Sequence, residues 1–320
     1  MMHFKDKIVN GIYNKTIALS YGMPGYSLRK KYWTTQFPED LSDKVYVVTG
    51  ASSGIGKEIA FKLAARKARV IIVCRNLERG KQVQDYLLKT TQNRNIMLEM
   101  ADLSDIGSIE RLAYRFCNWY PQIDTIIHNA GVMLHHHEMT NDQIECTFAT
   151  NVVGPFLLTM RILPLLQKSK DARIIQVTSG GMYTQKINVA SLEKGAKDYD
   201  GVKTYAQTKR AQVILNSLWA NSLKKREINV NCMHPGWVQT PGIKKSLPRF
   251  SKIFNKILRS PEAGADTAVW LATSDKMTQT GKLWFDRECK PEHVLSRTRE
   301  NKEDAQELWS LLKKLTKYID

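Results

Sequence analysis

Between the apolar run KVYVV at 44–48 and the helix-patterned KEIAFKLAARK at 57–67 lies TGASSGIG. Gly50, Gly54 and Gly56 permit a tight turn, and they let backbone approach a pyrophosphate held at a helix N-terminus. Ser52, Ser53 and Ile55 fill the rest of that turn and join it as candidate cofactor contacts. A glycine cluster alone is weak evidence, but one placed after a strand and before a helix is a credible nucleotide-binding turn.

The pattern then repeats. Apolar runs recur at 69–74, 96–100, 123–128, 172–178 and 228–233, with helical periodicity between them. Strands alternating with helices build a doubly wound parallel sheet, the α/β Rossmann fold. Residues 44–286 hold no repeat or low-complexity linker, so they are expected to form a single catalytic domain with extensions at 1–43 and 287–320.

In the N-terminal extension, Ile8, Val9, Ile12, Tyr13 and Ile17 share a helical spacing, followed by basic Arg29, Lys30 and Lys31. Such a segment either anchors at a membrane surface or packs on its own domain, and the second is the expectation. In the C-terminal extension, Ala305, Leu308, Trp309, Leu312, Leu315 and Ile319 form one apolar stripe, acidic residues come early and lysines late. These features predict an amphipathic helix docked on the domain; self-association through its apolar face stays open.

With 42% hydrophobic and 25% charged residues in 320, the chain is not wholly disordered. Five cysteines at wide spacing suggest neither a disulfide framework nor a zinc cage, so an intracellular, reducing setting is expected. No apolar stretch reaches the ~18 residues of a spanning helix, which predicts a cytoplasmic or peripherally membrane-associated protein. Forty-eight Lys and Arg against 31 Asp and Glu give a net charge of +17, attractive to phosphates or anionic lipid. No nucleic-acid recognition module accompanies that charge, so nucleic acid is not expected as a partner.

Tyr205 and Lys209 stand four apart in a helix-patterned segment, so both side chains share one face. A free phenol with a pKa of about 10 is a poor acid–base at neutral pH unless a nearby cation stabilises its phenolate. Lys209 supplies such a cation. Ser179, at the end of the 172–178 run, is placed to hold and orient a substrate oxygen. The second strand ends at Val73-Cys74-Arg75, without an acidic residue for a ribose, and Arg75 offers a donor fork suited to a 2′-phosphate. NADP(H) is therefore expected over NAD(H), with Lys57 adding charge nearby; the alternative is that both cations are merely solvated.

Taken together and in order, the glycine turn, Asp102-Leu103, Asn129-Ala130-Gly131, Asn151, Ser179, Tyr205-x3-Lys209 and Pro235-Gly236 closely resemble the short-chain dehydrogenase/reductase family. The resemblance implies a catalytic tetrad of Asn151, Ser179, Tyr205 and Lys209. It implies that Asp102 and Leu103 border the adenine, and that Asn129, Ala130 and Gly131 wall the adenosine ribose. By the same resemblance Asn151 holds a water linking Lys209 to solvent, and Lys209 binds the nicotinamide ribose. Pro235, Gly236, Val238 and Thr240 would meet the nicotinamide carboxamide. His128 departs from the family's Asn-Asn-Ala-Gly, and the 26 residues from Ser179 to Tyr205 exceed its usual spacing, which is read as a modified substrate wall.

Residues 224–260 carry nine Lys or Arg and one Glu. Phe250, Ile253, Phe254, Ile257 and Leu258 are read as one helical face, with Lys245, Arg249, Lys252, Lys256 and Arg259 opposite. That is either a helix packed over the cofactor with a solvated exterior, the simpler reading, or a basic lid touching anionic membrane. His135, His136 and His137 are adjacent, a poor geometry for one metal ion, and no metal is expected. The expectation is an NADP(H)-dependent oxidoreductase acting on a small lipophilic carbonyl or alcohol. The alternative is a cofactor-binding interaction or redox-sensing protein without turnover.

Overall fold

The computed structural model describes residues 9–11, 16–194, 198–275 and 277–318. Two short helices, α1 (Ile17–Tyr21) and α2 (Met23–Lys30), precede the first strand, β1 (Val45–Thr49). The chain then alternates through α3 (Gly54–Ala64), β2 (Arg69–Cys74), α4 (Leu77–Thr91), β3 (Ile96–Met100), α5 (Ile106–Trp119) and β4 (Thr125–His128). The continuous helix α6 (Cys146–Leu166) leads to β5 (Arg173–Val177), and α7 (Val189–Lys194) and α8 (Gly201–Ser222) lead to β6 (Asn229–Met233). Beyond it come α9 (Pro241–Ser246), α10 (Pro248–Phe254), α11 (Pro261–Thr273), β7 (Lys282–Phe285), β8 (Glu288–Lys290) and α12 (Lys302–Thr316).

The strands form one sheet in the order β3-β2-β1-β4-β5-β6-β7-β8, parallel except for the β7–β8 pair. This is the doubly wound, Rossmann-like architecture the alternating pattern predicts. Strands of such a sheet are covered on both faces and read as unbroken apolar runs. In β1, Val45 and Val47 enter one core with Phe116, Phe156 and Trp219; Tyr46 and Val48 enter the other with Ile59, Leu63 and Leu271. The strand order reverses between β1 and β4, and the crevice at the carboxyl ends of those strands is where such sheets bind ligands.

α6 is long and apolar enough by composition to cross a membrane, yet 89% of its apolar window is buried within the fold. It is accordingly a core helix. α12 lays Leu308 and Leu312, both fully buried, into the first core beside Trp219, and Asn301 with Asp304 forms a capping box at its start. The stripe residue Ile319 lies outside the described residues, as do Ile8, Ile12 and Tyr13 of the N-terminal extension.

The N-terminal helices pack on the domain. Arg29, the first residue of the basic run 29–31, is 2% exposed and shares the Asp286 carboxylate with Arg259. The lid residues also need correction. α10 ends at Phe254; Ile253 faces solvent at 73% exposure, while Phe250 and Phe254 pack on Trp237 and Leu258 is buried. Arg259 is no surface cation, because Asp286 draws it into the interior.

Candidate active site

The glycine turn closes over the end of β4. Gly50 has φ +65°, and a Cβ there would lie 2.7 Å from Ala130 Cα. A Cβ on Gly56 would strike the Asn129 side chain and the Gly50 carbonyl. Only glycine lets these backbones meet. Asn129 holds the turn from below, its Nδ2 donating to the carbonyls of Thr49 and Gly50 at 3.0 and 3.2 Å. Thr49 Oγ1 accepts from the amides of Asn129 and Ala130, both at 3.1 Å. Ser53 precedes α3 as its N-cap residue, and Ile55 packs near Gly264.

Two adjoining depressions open above this turn. The smaller, of ≈ 170 Å³, is walled by Gly50, Ser52, Arg75, Asp102, Leu103, Ala130 and Gly131, among others. The larger, of ≈ 520 Å³, runs past Gly131, Met133, Leu134, Cys146, Tyr205, Thr240 and Ile243. Arg75, Asp102, Gly131, Val132 and Thr150 line both. Arg75 is largely exposed, 3.7 Å from the Asp102 carboxylate, which is itself oriented by the Ser104 amide and hydroxyl. Lys57 lines neither depression. Its ammonium lies 3.7 Å from the centre of the Tyr86 ring, a cation–π contact.

Asn151 sits in a wide π-helical turn, Ala149–Val153, inside α6. Such a turn redirects a side chain that a regular helix would leave on its flank. The Asn151 carboxamide accepts from the Val132 amide at 2.8 Å and donates to the Val132 carbonyl and Thr208 Oγ1, both at 3.0 Å. The position of a Cβ on Gly131 is 3.3 Å from both Asn151 Oδ1 and Lys209 Nζ. Asn151, Gly131 and Lys209 therefore surround one small space.

Tyr205 and Lys209 project from the same face of α8, with the ammonium 5.5 Å from the centre of the Tyr205 ring. Ser179, N-cap of the turn after β5, hydrogen-bonds the Tyr205 phenol and also accepts from the Gly181 amide at 3.3 Å. Thr178 is turned away, its hydroxyl donating to the Lys209 carbonyl at 2.8 Å. Packing around the ring pushes the Tyr205 phenol up to about 12, against the opposing pull of the Ser179 hydrogen bond. Burial pushes the Lys209 ammonium down to about 7. The phenol thus keeps its proton at neutral pH, the state needed for donation to a carbonyl oxygen.

The loop after β6 completes the wall. Pro235 precedes Gly236, whose φ is +77°, and Val238 is buried against Gly264. Thr240 caps α9 by accepting from the Ile243 amide at 3.2 Å, and its methyl meets Gly54 across the mouth. His135 and Ser246 link the opposite rims through the Ser246 carbonyl and the Met133 carbonyl, at 2.6 and 3.2 Å. His136 and His137 go elsewhere, to Glu138 and to the Lys194 carbonyl.

Two expectations change. His128 is fully buried, bonded to Thr159 Oγ1 at 2.7 Å, and burial pushes it down to about 3, so it is a neutral core imidazole. The described part of the segment between Ser179 and Tyr205 lines neither depression. It buries Ile187, Val189 and Leu192 in the core, and Tyr199 bonds Glu145 at the start of α6 at 2.9 Å. Its role is to brace α6. Two participants escaped the sequence reading. Gln212 lies one helical turn beyond Lys209 and bonds its ammonium at 3.0 Å, a spacing visible as K-x-x-Q. Tyr21 comes from outside the sheet, and its contacts in the fold, among them a main-chain bond from the Trp237 amide at 2.9 Å, reveal it.

Comparison with known proteins agrees with this architecture. The family model for short chain dehydrogenase matches residues 44–249. Dehydrogenase/reductase SDR family member 12 of Bos taurus is 36% identical over 304 residues, covering 93% of this chain and 94% of that protein. Retinol dehydrogenase 12 of Mus musculus is 33% identical over 270 residues, 84% of each. Among solved structures, a short chain dehydrogenase of Shigella flexneri 2a complexed with NADP is 27% identical with a TM-score of 0.65, covering 78% of this chain and all of that one. The chain belongs to the short-chain dehydrogenase/reductase family of oxidoreductases.

Proposed function

We propose that the protein is an NADP(H)-dependent oxidoreductase that moves a hydride between the nicotinamide and a lipophilic carbonyl or alcohol, with Tyr205 as general acid–base. The observation that carries this reading is the Tyr205 phenol, hydrogen-bonded to Ser179, sharing a helix face with Lys209 and lining the cleft beside the glycine turn. The turn fits a dinucleotide: Cβ atoms at Gly50 or Gly56 would fill the space in which backbone approaches backbone, and α3 begins directly behind it. Gly50, Ser52, Ser53, Gly54, Ile55 and Gly56 would hold the pyrophosphate, Arg75 the 2′-phosphate, Asp102, Leu103, Ala130 and Gly131 the adenosine, and Pro235 to Thr240 the nicotinamide end.

When bound, the nicotinamide supplies or accepts the hydride. In reduction the Tyr205 hydroxyl gives its proton to the substrate oxygen, which Ser179 orients. Lys209 places positive charge beside the phenolate that remains. Oxidation reverses the proton transfer. Val132, Met133, Leu134 and Ile243 offer the substrate an apolar wall, in keeping with relatives named for retinol.

The test is NADPH binding followed by fluorescence, then NADPH consumption across a panel of long-chain and aromatic aldehydes and ketones. Tyr205→Phe should retain cofactor affinity and lower kcat by about 100- to 10,000-fold. Tight cofactor binding without turnover of any carbonyl or alcohol would favour the interaction-protein alternative. Failure to bind either nucleotide would remove the cofactor assignment itself.

A further inference from the structure

We infer that Gln212 is a positioning residue for this site: its buried carboxamide bridges the Lys209 ammonium and the main-chain carbonyl of Asn151 and so fixes where that charge sits. The inference takes its chemical meaning from the oxidoreductase reading above.

Lys209 Nζ has three hydrogens. One goes to the Val177 carbonyl and one to Gln212 Oε1, both at 3.0 Å. The third faces the space beside Gly131 and Asn151 Oδ1, towards the cleft. Gln212 Nε2 donates at 2.8 Å to the Asn151 carbonyl. The orientation of the carboxamide is forced, because a flipped amide would set an NH2 group against an ammonium and an oxygen against a carbonyl. Gln212 is completely buried, Lys209 is 3% exposed, and the Gln212 carbonyl is itself held by Gln176 Nε2 at 3.1 Å.

The Asn151 side chain bonds Val132 and Thr208, and its main-chain carbonyl takes the Gln212 amide, so Gln212 fixes Lys209 relative to the Asn151 backbone. A carboxamide neither gains nor loses a proton near neutral pH. The Lys209–Gln212–Asn151 link therefore transmits orientation and charge and carries no proton. Lys209 acts as an aimed charge beside the phenolate left on Tyr205 after it protonates a substrate oxygen. The titratable group facing Lys209 is the Tyr205 phenol on the same helix.

The experiment compares wild type with Gln212→Glu and Gln212→Leu. Lysine labelled with 13C at Cε reports the Lys209 titration by NMR, the resonance being assigned through its loss in Lys209→Met. A carboxylate in place of the amide should raise the Lys209 midpoint by about one unit or more, and leucine should lower it. Where turnover is measured, Gln212→Leu should lower kcat about tenfold with substrate KM changed less than about threefold, and Gln212→Glu should move the alkaline limb of the profile upwards. A Lys209 midpoint unmoved by Gln212→Glu, or a kcat unmoved by Gln212→Leu, overturns the inference. Should Gln212→Leu fail to fold, the near-isosteric Gln212→Glu still decides. The titration needs no substrate, so absence of turnover in wild type would count against the oxidoreductase reading alone.

Discussion

The main-chain oxygen of Tyr21 accepts hydrogen bonds from the Trp237 amide at 2.9 Å and from Arg259 Nε at 2.7 Å. A residue outside the family match at 44–249 thus fixes the loop that follows β6. Its ring also meets Gly180, next to Ser179, and packs near His234 and Phe285. The N-terminal segment braces two site loops at once. Tyr21→Ala should destabilise the fold by about 1–3 kcal/mol in urea unfolding, below the range of fully buried aromatic truncations because the ring is partly exposed, and should weaken NADPH binding.

Beneath that brace, Asp286 serves two guanidiniums. Arg259 donates to it at 2.9 Å and Arg29 at 2.7 Å, and the Ser20 carbonyl takes a further hydrogen from each. Burial opposes ionisation of the carboxyl, but the charges of Arg259 and Arg29 outweigh it and hold its pKa below the usual value. A depressed carboxylate pKa contributes stability above the unfolded value of about 3.9, and that stability is lost as pH falls through the folded value. Asp286→Asn should cost about 3–5 kcal/mol at neutral pH, because it leaves two buried cations without their partner. Its melting temperature should also fall less than that of wild type as pH drops below about 4; parallel curves would contradict this.

Lys209 has the opposite sign. Its folded pKa lies at about 7, lowered by burial. The unfolded amine titrates near 10.4, so between these values the unfolded chain binds more protons and stability rises with pH. Lys209→Met should be more stable than wild type at pH values of about 6, with the gap closing as pH approaches about 10. Thermal melts of the two proteins across that range check it. A gap constant with pH would show that lost hydrogen bonds, and not the buried charge, set the difference.

The sheet was legible because both its faces are buried, which leaves runs such as RVIIVC without polar interruption, and because Gly50 must take a positive φ. Tyr205 and Lys209 were legible by helical spacing. Arg29, Arg259 and Ile253 were not. A guanidinium looks like a surface cation until a distant carboxylate is folded against it, and Asp286 is 257 positions from Arg29. The apolar stripe at 250–258 broke because α10 stops at Phe254, short of Ile257 and Leu258, and because Ile253, about 100° around the helix from Phe254, falls on its solvent side. Gln212 was legible only as a spacing, three residues beyond Lys209; that it joins the Lys209 ammonium to the Asn151 carbonyl appears only in the fold.

Arg75 lines both depressions at the end of β2, where no carboxylate of its own strand competes for a ribose. Charged hydrogen bonds to a phosphate contribute about 1.5–3 kcal/mol, so Arg75→Ala should weaken NADPH binding by about 10- to 100-fold. NADH, lacking the phosphate, should bind the variant and wild type within about threefold of each other. Fluorescence titration separates the cases: equal losses for both nucleotides would mean that Arg75 acts through Asp102 and not on the phosphate.

The sequence places aromatic and basic residues together at 249–256, and the fold decides which of them can reach a lipid surface. Phe250 and Phe254 are pinned to Trp237 at 4.8 Å between ring centres, so replacing them disturbs the loop after β6. Ile253 stands free at 73% exposure, flanked by exposed Arg249, Lys252 and Lys256. An apolar side chain amid cations is the arrangement that inserts at an anionic interface, each nearby cation adding about 1 kcal/mol. Vesicles of phosphatidylglycerol and phosphatidylcholine should therefore sediment the full chain at low salt. Ile253→Ser should reduce the bound fraction without altering NADPH affinity, and Lys252→Glu with Lys256→Glu should abolish it. Equal sedimentation by wild type and the charge-reversed protein would leave α10 as a solvated helix packed on Trp237.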